Sequence, residues 1–186
     1  MRYKLDELLN QITTRLPTNT TGAVTAQVLR DLLTDFVWSF RGATAYLSRA
    51  AAGMAVPLTA VFQVPAALFD TAYSVDNSEN EAAVGTQNIV AKVTGSYEVT
   101  ISATIEGAVN EEVIVAVMQT GVANTLFQQR VQLLGAGKPN TIDIQALLTG
   151  VPALASIQFG IRAETGTPSV TIGPVALISR LIPTRT

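Results

Sequence analysis

Protein chemistry is done by few side-chain types, and this sequence of 186 residues lacks two of them, cysteine and histidine. Thiol and imidazole catalysis, disulfides and the commonest zinc ligands are therefore excluded. Carboxylates, Lys, Tyr and Ser remain as groups that could act. Glu106, Glu111 and Glu112 gather around one turn. Glycoside hydrolysis needs two carboxyl groups about 5 to 9 Å apart, with the pKa of one raised. Adjacent strand residues point to opposite faces, so Glu111 and Glu112 do not form such a pair. Glu106 can approach Glu112 only across a hairpin, and no sequence feature supplies a sugar cleft, so solvated turn carboxylates are expected and no catalytic residue is assigned.

Asp70, Asp76, Asn77, Glu79, Asn80 and Glu81 concentrate oxygen ligands of the kind calcium requires. They lack the EF-hand spacing and its fixed glycine, which leaves a solvated acidic loop as the expectation and no metal site. Gly135, Gly137 and Lys138 resemble a phosphate loop only superficially. Gln132 occupies the position of the first glycine and Pro139 replaces the Ser/Thr, so a β-turn is expected. Asn19, Thr20 and Thr21 match a glycosylation sequon without a secretion signal, and their turn role suffices. No cofactor is expected.

Charged residues make up only 14% of the chain, against about 25% in an average protein. Mean hydropathy is positive at +0.33. Too little charge is available to coat a monomer of this size, and some surface should be buried against other chains. Residues 1–50 hold six Lys/Arg and four Asp/Glu, and residues 51–186 hold six and ten. Neither part has the basic excess of a nucleic-acid binder. No apolar run approaches the roughly 20 residues needed to cross a bilayer, so no membrane insertion is expected. The start, Met1 to Asn10, is patterned as an amphipathic helix rather than a signal peptide, which points to assembly in the cytoplasm.

The elements that must position these residues fall into two parts. Leu5, Leu8, Leu9, Ile12 and Leu16 recur at helical spacing until Pro17, predicting a helix over about 4–15. Thr25 is a suitable N-cap for a second helix bearing Val28, Leu29, Leu32, Leu33, Phe36, Val37 and Phe40, with Gly42 as its stop. That stripe is broader than a dimeric coiled-coil seam, and with Trp38 it suits either a bundle core or an interface. Residues 43–57 are ambiguous between a short helix and an extended linker, and the domain boundary is placed there: 1–57 a helical anchor and linker, 58–186 a β domain.

Beyond Leu58 the period changes to two. Tyr97, Val99, Ile101, Ala103 and Ile105 alternate with Glu98, Thr100, Ser102, Thr104 and Glu106. Further strands are predicted over 58–64, 87–93, 112–118, 125–134, 140–147, 155–163 and 169–178, each bounded by turn residues. About eight strands with short connections predict a mainly β fold, an antiparallel β-sandwich of jelly-roll type, with a fibronectin-like or immunoglobulin-like sandwich as the rival. The run Val113 to Met118 is apolar on both faces, so its outer face should be covered, most simply by another subunit.

The segment from Leu16 to Val37 resembles an N-terminal module of phage tail-fibre and related virion proteins. Its elements here are Leu16 and Pro17, the Asn19 and Thr20 turn, Gly22, Thr25, and a helix carrying Leu29 and Arg30. The remainder looks like the trimeric jelly-roll heads of phage fibres and of complement-like or tumour-necrosis-factor-like domains. The resemblance implies a homotrimeric virion protein. Leu5, Leu9, Ile12, Leu16, Leu29, Leu32, Leu33, Phe36, Val37 and Phe40 would oligomerise it or anchor it to tail or capsid proteins. The β knob would bind a host-surface glycan or protein. Four loops are candidates for that contact: Asp76 to Glu81 (Asp76, Asn77, Glu79, Asn80, Glu81), Glu106 to Glu111, Gln119 to Asn124 and Arg162 to Thr167. A capsid decoration protein is the alternative, and a carboxylate-dependent glycan depolymerase a more distant one.

Overall fold

A computed structural model describes residues 43–50, 53–75, 79–82, 87–120 and 122–182, with no side chains described over 122–126. Both expected helices and all ten anchor residues lie outside the described residues, as do Asp76 and Asn77.

The described residues form eleven β-strands: β1 Thr44–Arg49, β2 Met54–Pro57, β3 Thr71–Ser74, β4 Asn80–Ala82, β5 Asn88–Ala91, β6 Gly95–Glu106, β7 Glu112–Gln119, β8 Val122–Gln132, β9 Asn140–Val151, β10 Ser156–Ala163 and β11 Ser169–Ile182. They build two sheets. The first runs β3-β1-β11-β6-β9 with β2 also on β11, and the second runs β4-β5-β10-β7-β8. From β5 onward the chain passes repeatedly between the sheets. With antiparallel pairing throughout, this is a jelly-roll sandwich, as the strand pattern led us to expect.

The alternating residues of β6 face inward together with Ile142, Ile144, Ala146 and Leu148 of β9, Val113, Val115 and Val117 of β7, and Ile157, Phe159 and Ile161 of β10. Tyr97 and Phe159 are the largest wholly buried side chains. The buried positions of β11 are Val170 and Ile172, then Val175, Leu177, Ser179 and Leu181. The alternation therefore slips by one residue at Gly173 and Pro174. This is also where the neighbouring strand changes from β2 to β1. Proline has no N–H to give a ladder, and an extra residue at such a point bends the strand without losing its inward face.

Two expectations are corrected. The sandwich takes up the chain from Ala43 rather than Leu58, because residues 44–49 and 54–57 are strands on the edge of β11. Leu47 and Val56 fill inward positions there. The strand expected over 58–64 is not continuous. Thr59 forms a local turn by accepting the N–H of Val61 through its hydroxyl at 3.3 Å, and prolines stand at 57 and 65. This segment touches the edge of β10 through the Gln63 and Ile161 bridge and the Ala163 N–H to Thr59 carbonyl bond.

Candidate functional site

The outer face of the second sheet carries the doubly apolar strand. Ile114, Ala116 and Met118 are 4%, 0% and 3% exposed, so this face is already covered within one chain. Subunit burial, the expectation from sequence, is not required here. In register, Ile114 lies between Arg130 of β8 and Arg162 of β10, and Ala116 lies between Gln128 and Gly160. A Cβ at Gly160 would collide with the thioether of Met118, and Phe62 lies next to it. The absent side chain therefore makes room for Met118. The Arg162 guanidinium stands 5.3 Å from the Phe62 ring centroid. Beyond the apolar row the charges alternate. Arg130 pairs with Glu112 at 3.7 Å and also with Glu164, whose other oxygen takes Arg162 at 2.6 Å.

The outer face of the first sheet differs. Tyr73 of β3 stands opposite Tyr46 of β1, which stands opposite Ile178 of β11. Tyr73 is 62% exposed. On one side of this row lie Ser48, Thr71 and Ala176 and on the other Thr44 opposite Arg180, and the outer positions of β6 are Glu98, Thr100, Ser102 and Thr104. Aromatic residues are enriched in interface cores, and Tyr46 and Tyr73 supply two of them here, with Arg180, opposite Thr44, adding charge at one end of the row.

The sandwich also has two distinct ends. Ala43, where the described chain begins, accepts the N–H of Leu181. The same end holds Val75, bonded to Thr44, together with Asn80, Gly95 and the turn Pro152 to Ala155. We call it the root end. The far end holds Gly107 to Glu111, Leu133 to Pro139 and Glu164 to Pro168. The four loops singled out from sequence thus divide in two: Glu79 to Glu81 and the turn after Gln119 belong to the root end, and Glu106 to Glu111 and Arg162 to Thr167 to the far end.

The acidic cluster is not a single loop. Asp70 precedes β3 and is separated from Val75 by that strand, a length of roughly 13 Å. Glu81 pairs with Lys92 at 2.5 Å. Asn80 is wholly buried, and its side-chain N–H groups donate to the carbonyls of Ser179 at 2.8 Å and Ala43 at 3.3 Å. It pins β4 of one sheet to β11 of the other and to the chain's entrance, which removes it from any receptor surface. No group of three or more His, Cys, Asp or Glu residues suited to a metal ion occurs among the described residues.

Two of the far-end carboxylates, Glu106 and Glu112, have structural tasks, whereas one oxygen of Glu111 is buried without a hydrogen-bond partner. Glu106 accepts the Gly137 N–H at 3.0 Å, and Glu112 belongs to the charged ladder. The supposed phosphate loop is a turn, with the Lys138 N–H on the Gly135 carbonyl and both Gly135 and Gly137 at positive φ. Tyr97, whose hydroxyl donates to the Val93 carbonyl at 2.8 Å, has its pKa pushed up to about 12 by burial, with the Glu79 charge adding to the rise. The row Tyr46, Tyr73 and Ile178 was missed in the sequence. The only signal for it was a tyrosine at an alternate position in each of two short segments.

No protein-family model and no curated protein matches the chain. Solved structures do. The Eiger TNF of S. frugiperda is similar at 14% identity and a TM-score of 0.51, covering 77% of this chain and 94% of its own. The globular domain of the zebrafish complement 1qA protein is similar at 11% identity and a TM-score of 0.50, covering 78% and 99%. PRD1 vertex protein P5, at 13% identity and a TM-score of 0.41, covers 76% and 73%, a likeness too loose to argue from. What the chain shares with the first two is the jelly-roll sandwich itself.

Proposed function

We propose that this chain is a structural protein of a tailed-phage particle, a short fibre attached through its N-terminal residues. Its β-sandwich acts as a trimeric knob that binds a receptor on the host surface. Weak contacts repeated about a threefold axis then gain avidity without a tight single site. The observation that carries this reading is the outer face of the first sheet, where Tyr46, Tyr73 and Ile178 form an aromatic and aliphatic row with hydroxyl residues on one side and Arg180 on the other. A face of this kind suits packing against another copy, and the 14% charge content favours such packing. The phage assignment is supported by the resemblance of Leu16 to Arg30. Binding rather than catalysis is favoured because Glu106 and Glu112 are engaged in holding the fold.

Sedimentation of the full chain at micromolar concentration tests the knob. The expected mass is three times the 19.6 kDa of one chain. Tyr46→Asp with Tyr73→Asp should reduce it to that of a monomer with unchanged circular dichroism. A monodisperse wild-type monomer would overturn the trimer. Imaging the protein in its particle separates a fibre at few sites from a decoration protein spread over the shell.

A further inference from the structure

We infer that the trimer closes head to tail, with the edge strand β9 of one copy lying on the Tyr46, Tyr73 and Ile178 row of the next, so that Leu147 meets Tyr73 and Asp143 meets Arg180. This rests on the trimer reading given above. A threefold ring closes only through heterologous contacts, in which one patch of the surface meets a different patch of the neighbour. The tyrosine row therefore needs a counterpart elsewhere on the same chain. In the sheet order β3-β1-β11-β6-β9, the row and Arg180 occupy the half β3-β1-β11, which leaves β6 and β9 as a second half of the same outer face.

The charges of the two sheets point to that half. On the outer face of the second sheet, Glu112, Arg130, Arg162 and Glu164 neutralise one another. On the outer face of the first, Arg180 of β11, Glu98 of β6 and Asp143 of β9 are all exposed, and among the described residues none of the three makes an ion pair. Glu98 lies on the strand next to β11 in its own chain, whereas β6 separates Asp143 from Arg180 by about 10 Å across the sheet. Asp143 stands on an edge strand, at the rim of the face, and Arg180 stands at one end of the tyrosine row. Rim charges set partner and register, because like charges brought together there are strongly disfavoured. One face thus carries both signs of a complementary pair, on two different patches.

Leu147 supplies the apolar member. It is 51% exposed on the outer side of β9, with Gln145 and Asp143 following on that side. Val61, Val109, Leu134 and Leu154 are more exposed, but none has the charge that Arg180 requires. Residues 50–69, around Val61, contain no charge, and the Arg162 guanidinium lies over the adjoining Phe62. The Leu154 N–H donates to the Ala91 carbonyl, beside the cation Lys92. Val109 and Leu134 stand near Glu111 and Lys138, which are of opposite sign. The spacings also agree. Leu147 and Asp143 are four residues apart on one strand, about 13 Å. Tyr73 and Arg180 are two strands and two residues apart, about 12 Å.

The test is sedimentation of the full chain at micromolar concentration, with circular dichroism alongside. Arg180→Asp, Asp143→Arg and Leu147→Asp should each convert trimer into monomer with unchanged circular dichroism. Val61→Asp and Leu154→Asp should stay trimeric. An equimolar mixture of the Arg180→Asp and Asp143→Arg chains, one of them tagged, should yield assemblies containing both, because each chain restores opposed charges to the other across the contact. Two charges that met only within one chain would give no such rescue. Recovery of the tagged chain alone from the mixture would overturn the inference. So would trimers that persist in Leu147→Asp or in both charge variants, or that dissociate with Val61→Asp or Leu154→Asp instead. In each of those cases the wild type is still a trimer and the reading beneath stands. A wild-type monomer would overturn that reading, and this inference with it.

Discussion

On the second sheet's outer surface, Ile114 sits between two arginines, Met118 occupies the space above Gly160, and Phe62 closes the side. On the first sheet's outer surface, Tyr46 sits between Tyr73 and Ile178, and Tyr73 is mostly in water. Both surfaces are apolar at their centres. One is completed by the chain's own side chains and an alternating ladder of charge, and the other ends in hydroxyls on one side and Arg180 on the other. The difference teaches that apolar residues on both faces of a strand report burial without reporting which molecule provides it. In the trimer proposed above, a second copy would meet the first sheet's row, which reaches water at Tyr73 on the edge strand β3.

The largest effect that would test this contrast is on stability. Ile114→Ala should lower the unfolding free energy by about 2–5 kcal/mol, the usual cost of emptying a buried aliphatic site. Tyr73→Ala should change the stability of the separated chain by under about 1 kcal/mol, while weakening assembly. Urea unfolding at one fixed protein concentration, with sedimentation alongside, measures both. Equal losses for the two variants in dissociated chains would break the distinction between a closed and an open face.

Legibility in the sequence followed the same line. β6 was readable because its two faces meet different surroundings, core and water, so alternation is clean from Tyr97 to Glu106. β1 and β2 were not, because four- and six-residue strands next to Ala-rich and Gly-containing links give too few periods to distinguish them from a helix. The run from Val113 to Met118 was correctly read as covered on both faces. Its cover was misattributed because Phe62, Arg130, Arg162 and Gly160 come from distant parts of the chain and meet only in the fold. Among the receptor candidates, Asn80 looked like a loop residue by composition. Only the approach of Ala43 and Ser179 makes it an internal pin.

Titration supplies a smaller effect that should belong to neither face. Tyr97 in the folded protein ionises near pH 12, above its ordinary value of 10. Between those values the unfolded chain releases a proton that the folded chain retains, so stability falls as pH rises from about 10 to about 12, and is fully present below. Tyr97→Phe should flatten the unfolding curve across this window. A loss of equal size in Tyr97→Phe would transfer the effect to other groups.

The smallest effects distinguish the two arginines that flank Ile114. Arg130 is 59% exposed along its side chain and meets Glu112 and Glu164 at the surface, where an ion pair is worth about 0.2–1 kcal/mol. Arg162 is 25% exposed, pairs with Glu164 at 2.6 Å and lies over Phe62. Arg130→Ala should therefore cost under about 1 kcal/mol in dilute buffer, and nearly nothing in roughly 1 M salt, where the screening length is about 3 Å. Arg162→Ala should cost more, on the order of 1–2 kcal/mol, and keep most of that cost in salt, because its contact with Phe62 is not screened. If both variants lose their effect in salt, the second sheet's outer face is held by charge alone. If Arg162→Ala resists salt, that face is closed by packing, with the ladder only bordering it.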